Sequence, residues 1–285
     1  MIRAMRASLA VVMVCLAASV VAAQTDQHAV LDRILDTYVR EGNVYYRALK
    51  IERAALDRYV GSLDGPAAQV AGWSPAEQQA FWVNGYNALV LRTVIDAYPI
   101  RARTDEFPAN SVRQVPGAFN EVRHAIGGRS VTLDQIEALL VDEFGDARLA
   151  LVLGRAAMGG GRLRSEAYTA GRLEAQLAEM VRECATRVRC VRIDTIQDVV
   201  EVSPMIGWQE LAFVRTFEPE AATWATRSAI ERAVAGMVYP HVFHREREVL
   251  DRNTFQMTYR EFDWRLNDLG ARSPAPYFDP TGRQR

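Results

Sequence analysis

Apolar residues recur at the three- and four-residue spacing of an α-helix along several stretches of the chain. The clearest helix begins at Ser74-Pro75-Ala76-Glu77, where a capping box is combined with proline at the first helical position. The pattern continues to Tyr98 and stops before Pro99. Its polar stripe is narrow, so this helix is predicted to be mostly buried. Further helices are predicted near residues 31–39, 56–63, 133–144, 170–187 and 230–238.

A smaller part of the chain has the pattern of β-strands. Residues 121–126 and 129–131 flank Gly127-Gly128, and a glycine pair suits the positive φ angles of a two-residue hairpin turn. Short β-like runs follow at 190–193, 199–202 and 255–259. We find no internal repeat or linker. These patterns predict an α+β fold, predominantly helical with a small antiparallel sheet, in a single compact domain.

Three polar side chains are predicted to face the core. Asn84 and Asn87 fall in the middle of the apolar stripe of the helix that begins after Ser74. An internal bracket that holds a loop against the helix is preferred for these amides, and a ligand-facing pair is the alternative. Glu137 lies on the core face of the helix that Thr132 caps. A hydrogen bond to a backbone turn is preferred for its carboxylate, and a site acid with a raised pKa is the alternative.

Composition favours one ordinary globular core, since 49% of the 285 residues are hydrophobic and 24% are charged. The formal net charge is −1 and the arginines are scattered, which disfavours nucleic acid as a partner.

The N-terminus has the pattern of a secretory signal peptide. Arg3 and Arg6 precede an apolar run over residues 9–21, and two alanines follow it. We expect a signal peptide at 1–23 with cleavage near Ala23, a globular domain at 24–272 and a loose C-terminal tail at 273–285. No later segment reaches the ~20 apolar residues of a spanning helix, so the mature chain is predicted to lack a transmembrane segment. The mature protein is therefore expected to be periplasmic or secreted.

Two cysteines, Cys184 and Cys190, remain in the predicted mature chain. In an oxidising compartment they are candidates for a disulfide that closes a short loop. Two free buried thiols are the alternative.

Four motifs occur in order along the chain: FWVNGYNAL at 81–89, LDQIE at 133–137, LRSEAY at 163–168 and FDWRLND at 262–268. Together they resemble the motifs of the domain of unknown function 547 family, over nearly the whole mature chain. The resemblance implies an α+β domain but no settled activity. The candidate cleft or framework residues are Asn84, Tyr86, Asn87, Glu137, Tyr168, Asp263, Trp264 and Asn267.

The chain departs from this family where thiol chemistry would be expected. Members usually carry Ser-Cys-Pro before the Leu-Arg pair and a histidine further upstream. Here the matching places hold Gly159-Gly160-Gly161 and Leu149-Ala150. A thiol nucleophile needs a base that raises its thiolate fraction, and this chain has neither group at those positions. The departure indicates a pseudoenzyme that keeps the polar framework.

The same glycines suggest a second kind of site. Gly159, Gly160 and Gly161 followed by Arg162 and Arg164 could hold an anion, but the spacing matches neither a phosphate-binding loop nor a dinucleotide fingerprint. An ordinary flexible loop is preferred.

Two other chemistries are compatible with the residues present. His241 and His244, with Glu246, could bind a metal on one side of a helical turn, but an exposed polar turn is preferred and no metal or cofactor is expected. Glu137 and Asp263 could act as an acid–base pair if their separation suited it.

Two hypotheses follow for function. The preferred one is a noncatalytic, exported binding or structural protein of the cell envelope, whose partner is an unidentified small molecule, a peptide or an envelope protein held near the glycine loop. The alternative is a hydrolase or transferase of the thiol-hydrolase type with a degenerate or non-thiol active site.

Overall fold

Helix α5, Pro75–Ala97, runs through the larger of two clusters of buried apolar side chains. The computed structural model describes residues 28–218 and 224–270. Both halves of the predicted capping box are present, since the Ser74 side chain accepts from the Glu77 backbone and the Glu77 side chain accepts from the Ser74 backbone. The predicted start, end and burial of this helix are confirmed.

The described elements follow one another along the chain with short connections. The helices are α1 (28–38), α2 (Tyr46–Ile51), α3 (Ala54–Gly61), α4 (Ala67–Ala71), α5, α6 (Leu133–Ala138), α7 (Arg148–Leu151), α8 (Leu173–Thr186), α9 (Pro204–Trp208), α10 (Glu210–Phe217), α11 (Ala229–Val238) and α12 (His244–Arg252). A 3₁₀ turn at Val112–Gln114 and a π-helical turn at Leu139–Glu143 add to them. The strands are β1 (Val39–Arg40), β2 (Asn43–Val44), β3 (His124–Ile126), β4 (Arg129–Val131), β5 (Val191–Asp194), β6 (Val199–Val202) and β7 (Gln256–Tyr259).

Two apolar clusters meet at α7 and α8. The first surrounds α5, and the second lies among α10, α11, α12 and the β5–β6–β7 sheet. On α7, Leu149 belongs to the first cluster and Leu151 to the second; on α8, Leu177 belongs to the first and Val181 to the second. Both helices therefore pack on two sides.

The predicted hairpin is present but shorter than expected. Strands β3 and β4 pair antiparallel around Gly127 and Gly128, which have φ angles of 59° and 68°. Such angles at both turn positions are those of the tight turn that joins twisted strands. Strand β3 begins at His124 and not at residue 121, because the N–H groups of Glu121 and Val122 both donate to the carbonyl of Gly117 and form a turn there.

The larger sheet is mixed. Strands β5 and β6 pair antiparallel, whereas β6 and β7 pair parallel. A parallel pair requires a long crossover, which here consists of helices α9 to α12. The α+β class and its helical predominance are confirmed.

The end of α8 is tied to β5 by a disulfide. Cys184 and Cys190 are bonded, with their Cα atoms 5.0 Å apart. Of the two alternatives for these cysteines, the disulfide is the one present.

Among the described residues, no helix has both the length and the apolar character that a membrane span requires. The predicted signal peptide at 1–23 and the predicted tail at 273–285 lie outside the described residues.

Candidate functional site: an aromatic cleft

Two asparagines of α5 bind the backbone of the segment that builds the site. The amide of Asn84 donates to the Tyr168 carbonyl at 2.8 Å and accepts from the Tyr168 N–H at 2.9 Å. The amide of Asn87 donates to the Val152 carbonyl at 3.1 Å and accepts from the Gly154 N–H at 2.8 Å. Both side chains are buried, and backbone groups satisfy both. This is the geometry of an internal bracket.

Arg155 follows directly after the segment that Asn87 holds. Its side chain is only 5% exposed and donates to the carboxylate of Glu137, which is 13% exposed. Burial is the largest single effect and opposes the charged guanidinium, but the charge and hydrogen bond of Glu137, together with Tyr86 and Asp134, outweigh it, so the pKa of Arg155 is raised. Gln209 donates to the same carboxylate oxygen at 3.0 Å. The preferred prediction for Glu137, a hydrogen bond to a backbone turn, is therefore wrong, because its partners are two side chains.

A cluster of aromatic rings lies beside this ion pair. Trp208, at the end of α9, is 47% exposed and stacks on Trp264 with ring centres 6.1 Å apart and planes 19° apart. Phe262 contacts both, with centroid distances of 4.9 Å to Trp208 and 4.3 Å to Trp264. The Arg155 guanidinium lies 5.7 Å from the Trp208 ring centre, within the range of a cation–π contact.

A loop carrying Phe107 and Arg113 packs against Trp264, and Arg113 lines the cleft. The Arg113 guanidinium lies 5.1 Å from the ring centre of Phe107 and 5.2 Å from that of Trp264. The buried side chain of Gln114 shapes this loop: its oxygen accepts from the N–H of Arg103 at 2.8 Å, and its nitrogen donates to the Phe107 carbonyl at 2.8 Å. The Gln114 amide therefore holds the backbone of this loop in place.

The ion pair, the two tryptophans and Arg113 border an open cleft of about 360 Å³. Its lining residues are Arg113, Phe119, Asp134, Glu137, Ala138, Asp142, Arg155, Trp208, Gln209 and Trp264. Asp134 lies one helical turn before Glu137, and burial together with the charge of Glu137 raises the pKa of Asp134. The size and the mixture of aromatic and polar groups are typical of small-molecule sites.

Part of this chain matches a known protein family. Residues 70–183 match the family described as "Protein of unknown function, DUF547". The resemblance predicted from the motifs is confirmed over residues 70–183, which contain the motifs at 81–89, 133–137 and 163–168; the motif at 262–268 lies outside the matched residues. A search of curated proteins and a search of solved structures each return no match. The domain of unknown function 547 family prescribes no activity, so inference about function rests on the geometry of the site.

The fourth motif, at 262–268, is docked on the glycine loop. The N–H of Met158 donates to the Arg265 carbonyl at 2.8 Å, and that of Gly159 donates to the Asp263 carbonyl at 2.9 Å. A Cβ atom at position 159 would lie 2.8 Å from the backbone nitrogen of Asp263. Glycine is needed here because two backbones approach closely. The loop thus supports the segment that carries Trp264 into the cleft.

The glycine loop itself offers little room for a ligand. The cavity beside it is about 30 Å³, enough for one or two water molecules. Arg162 pairs with Glu183 and Glu41, and Arg164 pairs with Glu166 and Glu179. The cavity at this loop is much smaller than the aromatic cleft, and a binding site at the loop stays a prediction.

The remaining framework residues occupy different places. Tyr86 and Tyr168 are buried, and neither hydroxyl has a hydrogen-bond partner among the described residues. Asn267 accepts from the Tyr46 hydroxyl at 2.7 Å and donates to the Gly42 carbonyl at 2.7 Å. Asp263 pairs with Arg265 on an exposed turn, and this pairing lowers the pKa of Asp263. Of the eight predicted residues, Glu137 and Trp264 line the cleft.

The two histidines of the possible metal site lie in different elements: His241 is in a turn and His244 is at the start of α12. His244 is the first residue of α12, and its side chain is 88% exposed beside Glu248. The carboxylate of Glu246 accepts from the Phe243 N–H at 2.8 Å and so caps the helix. Among the described residues, no group of three or more histidine, cysteine, aspartate or glutamate side chains could hold a metal ion.

Sequence reasoning missed several residues that line the cleft: Arg113, Asp134, Arg155, Trp208 and Gln209. A signal existed for Trp208, because Ser203-Pro204 is a helix cap followed by proline and places a tryptophan at the end of a short helix. No local signal distinguishes Arg155 from the other arginines, since its burial depends on α6 and α9, which are distant in sequence.

Proposed function

We propose that this chain is an exported, noncatalytic binding protein that holds a small polar ligand in the cleft between Trp208, Trp264 and the Glu137–Arg155 pair. The observation that carries the proposal is the stack of exposed Trp208 on half-buried Trp264, with Trp208 in contact with the guanidinium of the Glu137–Arg155 pair. Large exposed aromatic surface next to buried charge is unfavourable in water alone, and a ligand that covers it gains apolar burial and hydrogen bonds together.

Two features support export. The N-terminal sequence has the charge and the apolar run of a secretory signal. The Cys184–Cys190 disulfide is of a kind that persists in oxidising compartments. We place the mature protein in the periplasm or outside the cell.

The chemistry of the cleft supports binding over covalent turnover. None of the described residues that line it is a cysteine, a histidine or a serine. The charge of the Glu137 carboxylate is balanced by Arg155, and such a hydrogen-bonded pair can position a ligand. The missing Cys and His of the family agree with this interpretation.

Two larger depressions are less suited to a ligand. One of about 650 Å³ lies between α1, α2 and α3, and one of about 610 Å³ lies along α5 near His124. Neither is lined by a tryptophan, and the Arg92 and Asp96 side chains of the second are mostly committed to surface ion pairs. We therefore favour the aromatic cleft.

A second candidate function rests on one observation, the presence of two carboxylates, Asp134 and Glu137, in the same cleft. The raised pKa of Asp134 would suit a general acid, with Glu137 as its charged neighbour. This pair replaces the Glu137–Asp263 pair suggested by the sequence. Turnover of any ester, amide or glycoside that Asp134→Asn abolishes would establish a hydrolase in place of a binding protein.

The direct test is native mass spectrometry of the mature protein purified from an exporting host, beside a denatured, nonreduced sample. We expect an extra mass that is lost on denaturation and is absent from a Trp264→Ala variant. Phe243→Ala is the matched control, because Phe243 is an exposed aromatic residue outside the cleft lining. An extra mass that persists in Trp264→Ala would contradict the proposed site.

A further inference from the structure

Strand β7 lies at one edge of the larger sheet, where it pairs with β6 on one side. The N–H groups of Gln256 and Arg260 donate to carbonyls on the β6 side, at 2.9 Å and 3.0 Å. Successive residues of a strand direct their backbone groups to opposite sides. The N–H and C=O groups of Met257 and Tyr259 therefore point away from the sheet.

These outward groups have no hydrogen-bond partner among residues 28–218 and 224–270. At the start of the same edge, the Phe255 carbonyl accepts from the Arg227 guanidinium at 2.6 Å and is satisfied. Three of the four residues of β7 are exposed, and Met257 is half-buried. The open stretch thus consists of two N–H donors and two carbonyl acceptors, those of Met257 and Tyr259.

The β7 edge lacks the devices that usually protect a strand edge, which are charged side chains, proline and bulges. Its sequence, Gln-Met-Thr-Tyr, contains neither a charge nor a proline, and its register with β6 is continuous. The opposite edge of the sheet, β5, carries Arg192 and Asp194, which form an ion pair. Of these two edges, β7 is the one suited to accept another strand.

The side chains along β7 indicate what such a strand would carry. Met257 packs against the second apolar cluster, and Tyr259 is 47% exposed beside Gly207, where a Cβ would lie 3.0 Å from the tyrosine ring. Burial, and then the charge of Glu210, raise the pKa of Tyr259. Glu210 forms no ion pair with any residue that the structure describes. Apolar side chains beside Met257 and Tyr259, and a cation beside Glu210, would be complementary to this edge.

The length of the edge favours a peptide segment over a second copy of the chain. Strand β7 has four residues and is therefore about 13 Å long. A stable interface between folded proteins buries about 1,200 Å² or more, which so short an edge does not supply alone. A single extended segment needs only the edge, because its main-chain hydrogen bonds provide the affinity.

We infer that β7 binds an extended peptide segment of a partner protein by strand addition, with apolar side chains beside Met257 and Tyr259 and an arginine or lysine beside Glu210. This site goes beyond the proposed function, because no residue of β7 lines the aromatic cleft. The backbone of β7 then provides affinity, and Glu210 provides a preference for basic segments.

The experiment is a nuclear magnetic resonance titration of ¹⁵N-labelled mature protein. The probe is a capped heptapeptide that alternates threonine and valine and ends in arginine, beside the same peptide with glutamine in place of arginine. We expect the amide resonances of Met257 and Tyr259 to move and their hydrogen exchange to slow on binding. The arginine peptide should bind about threefold more tightly than the glutamine peptide, the factor typical of one exposed ion pair.

Three variants separate the contributions. Met257→Pro should weaken binding about tenfold or more, because it removes an outward N–H and obstructs the approaching strand. It removes no bond to β6, so the Thr258 amide should stay protected and report that the sheet is kept. Met257→Ala is the matched control, since it shortens the side chain and keeps the N–H, and it should still bind. Glu210→Gln should bring the two peptides to equal affinity.

Binding that leaves the Met257 and Tyr259 amides unprotected, or equal binding by Met257→Pro, would overturn strand addition. The absence of binding at millimolar peptide would overturn it as well. A peptide-free dimer that Met257→Pro abolishes would assign the edge to a second copy of the chain and overturn the partner segment. Trp264→Ala, the variant that tests the aromatic cleft, should bind the peptide unchanged, so the two proposals fail separately.

Discussion

The side-chain oxygen of Asn87 accepts a hydrogen bond from the Gly154 N–H, 2.8 Å away, one residue before the arginine that forms the floor of the cleft. The same amide donates to the Val152 carbonyl. A central helix thus fixes the backbone that enters the cleft, and the position of Arg155 depends on a residue that does not line the cleft.

We therefore predict that Asn87→Ala destabilises the fold by about 2 kcal/mol, because it leaves a buried N–H and a buried carbonyl without partners. Asn87→Asp should cost at least as much, since a carboxylate would face the Val152 carbonyl. Urea denaturation measures both. Thr37→Ala removes a hydrogen bond on an exposed helix face and is the control, with an expected change within about 0.5 kcal/mol. Equal stability of Asn87→Ala and the control would show that the bracket does not hold the loop.

The buried ion pair gives a second prediction. Arg155→Met should destabilise the protein by about 3 kcal/mol because it leaves the Glu137 charge in the cleft without its partner. The double variant Arg155→Met with Glu137→Met should recover much of this loss, since no unpaired charge remains. The measurement is a double-mutant cycle from denaturant unfolding.

Arg265→Met is the control for that cycle. Arg265 pairs with Asp263 on an exposed turn, so its replacement should change the free energy of unfolding by less than about 1 kcal/mol. A double variant as unstable as Arg155→Met alone would contradict the view that the lone carboxylate causes the loss.

The glycine loop provides a third prediction, which compares the same substitution at two positions. A Cβ at Gly161 would lie 2.2 Å from the Leu151 carbonyl oxygen, so Gly161→Ala should cost about 3 kcal/mol or more. Gly61, the last residue of α3, has open space around its Cα, and Gly61→Ala should stabilise by about 0.5 kcal/mol. Thermal unfolding of the two variants should shift in opposite directions; a shift of the same sign would contradict the close packing of the loop.

His28 gives the protein a predicted pH dependence. Burial lowers the pKa of His28 to about 4, from an ordinary value of 6.5, and its ring lies 2.9 Å from the Tyr59 hydroxyl. The unfolded chain therefore binds a proton at His28 more readily than the folded protein does. The contribution of neutral His28 to the free energy of unfolding is fully present above pH 6.5 and is lost as the pH falls towards 4. The loss should reach about 3 kcal/mol at pH 4.

A comparison of variants isolates that effect from the carboxylates. Between pH 7 and pH 4, the unmodified protein should lose about 3 kcal/mol more stability than His28→Gln, measured by urea denaturation at each pH. His244→Gln should follow the unmodified protein, because His244 is almost fully exposed. Parallel curves for the unmodified protein and His28→Gln would mean that His28 is protonated as easily in the folded state as in the unfolded chain.

Local patterns predicted much of the secondary structure. The capping boxes at Ser74 and Thr132 mark real helix starts, since a cap depends on four consecutive residues. The burial of Asn84 and Asn87 follows from helical periodicity alone. The parallel pairing of β7 with β6 was missed, because it depends on where four intervening helices return the chain.

The cleft could be predicted only in part. Glu137 and Trp264 were selected through motifs, but their role as neighbours depends on contacts between α6 and a segment more than 120 residues later. Trp208 and Arg113 were missed because a surface tryptophan and a surface arginine have no distinctive local pattern. The sequence suggests an anion site at the glycine loop only as the less favoured interpretation. In the structure, Gly159 and Gly161 are required because other backbone atoms pack closely against them.

The most direct test of the account is a nuclear magnetic resonance titration of the tryptophan side chains. The chain contains five tryptophans, of which Trp208 and Trp264 line the cleft and Trp73, Trp82 and Trp224 do not. Mature protein with ¹⁵N-labelled indole groups would be titrated with a small-molecule extract of the exporting host's envelope, with peaks assigned by Trp208→Phe and Trp264→Phe. We predict that the Trp208 and Trp264 resonances move and the other three stay in place. Five unmoved resonances, or movement confined to Trp73, Trp82 or Trp224, would contradict a ligand site in the aromatic cleft.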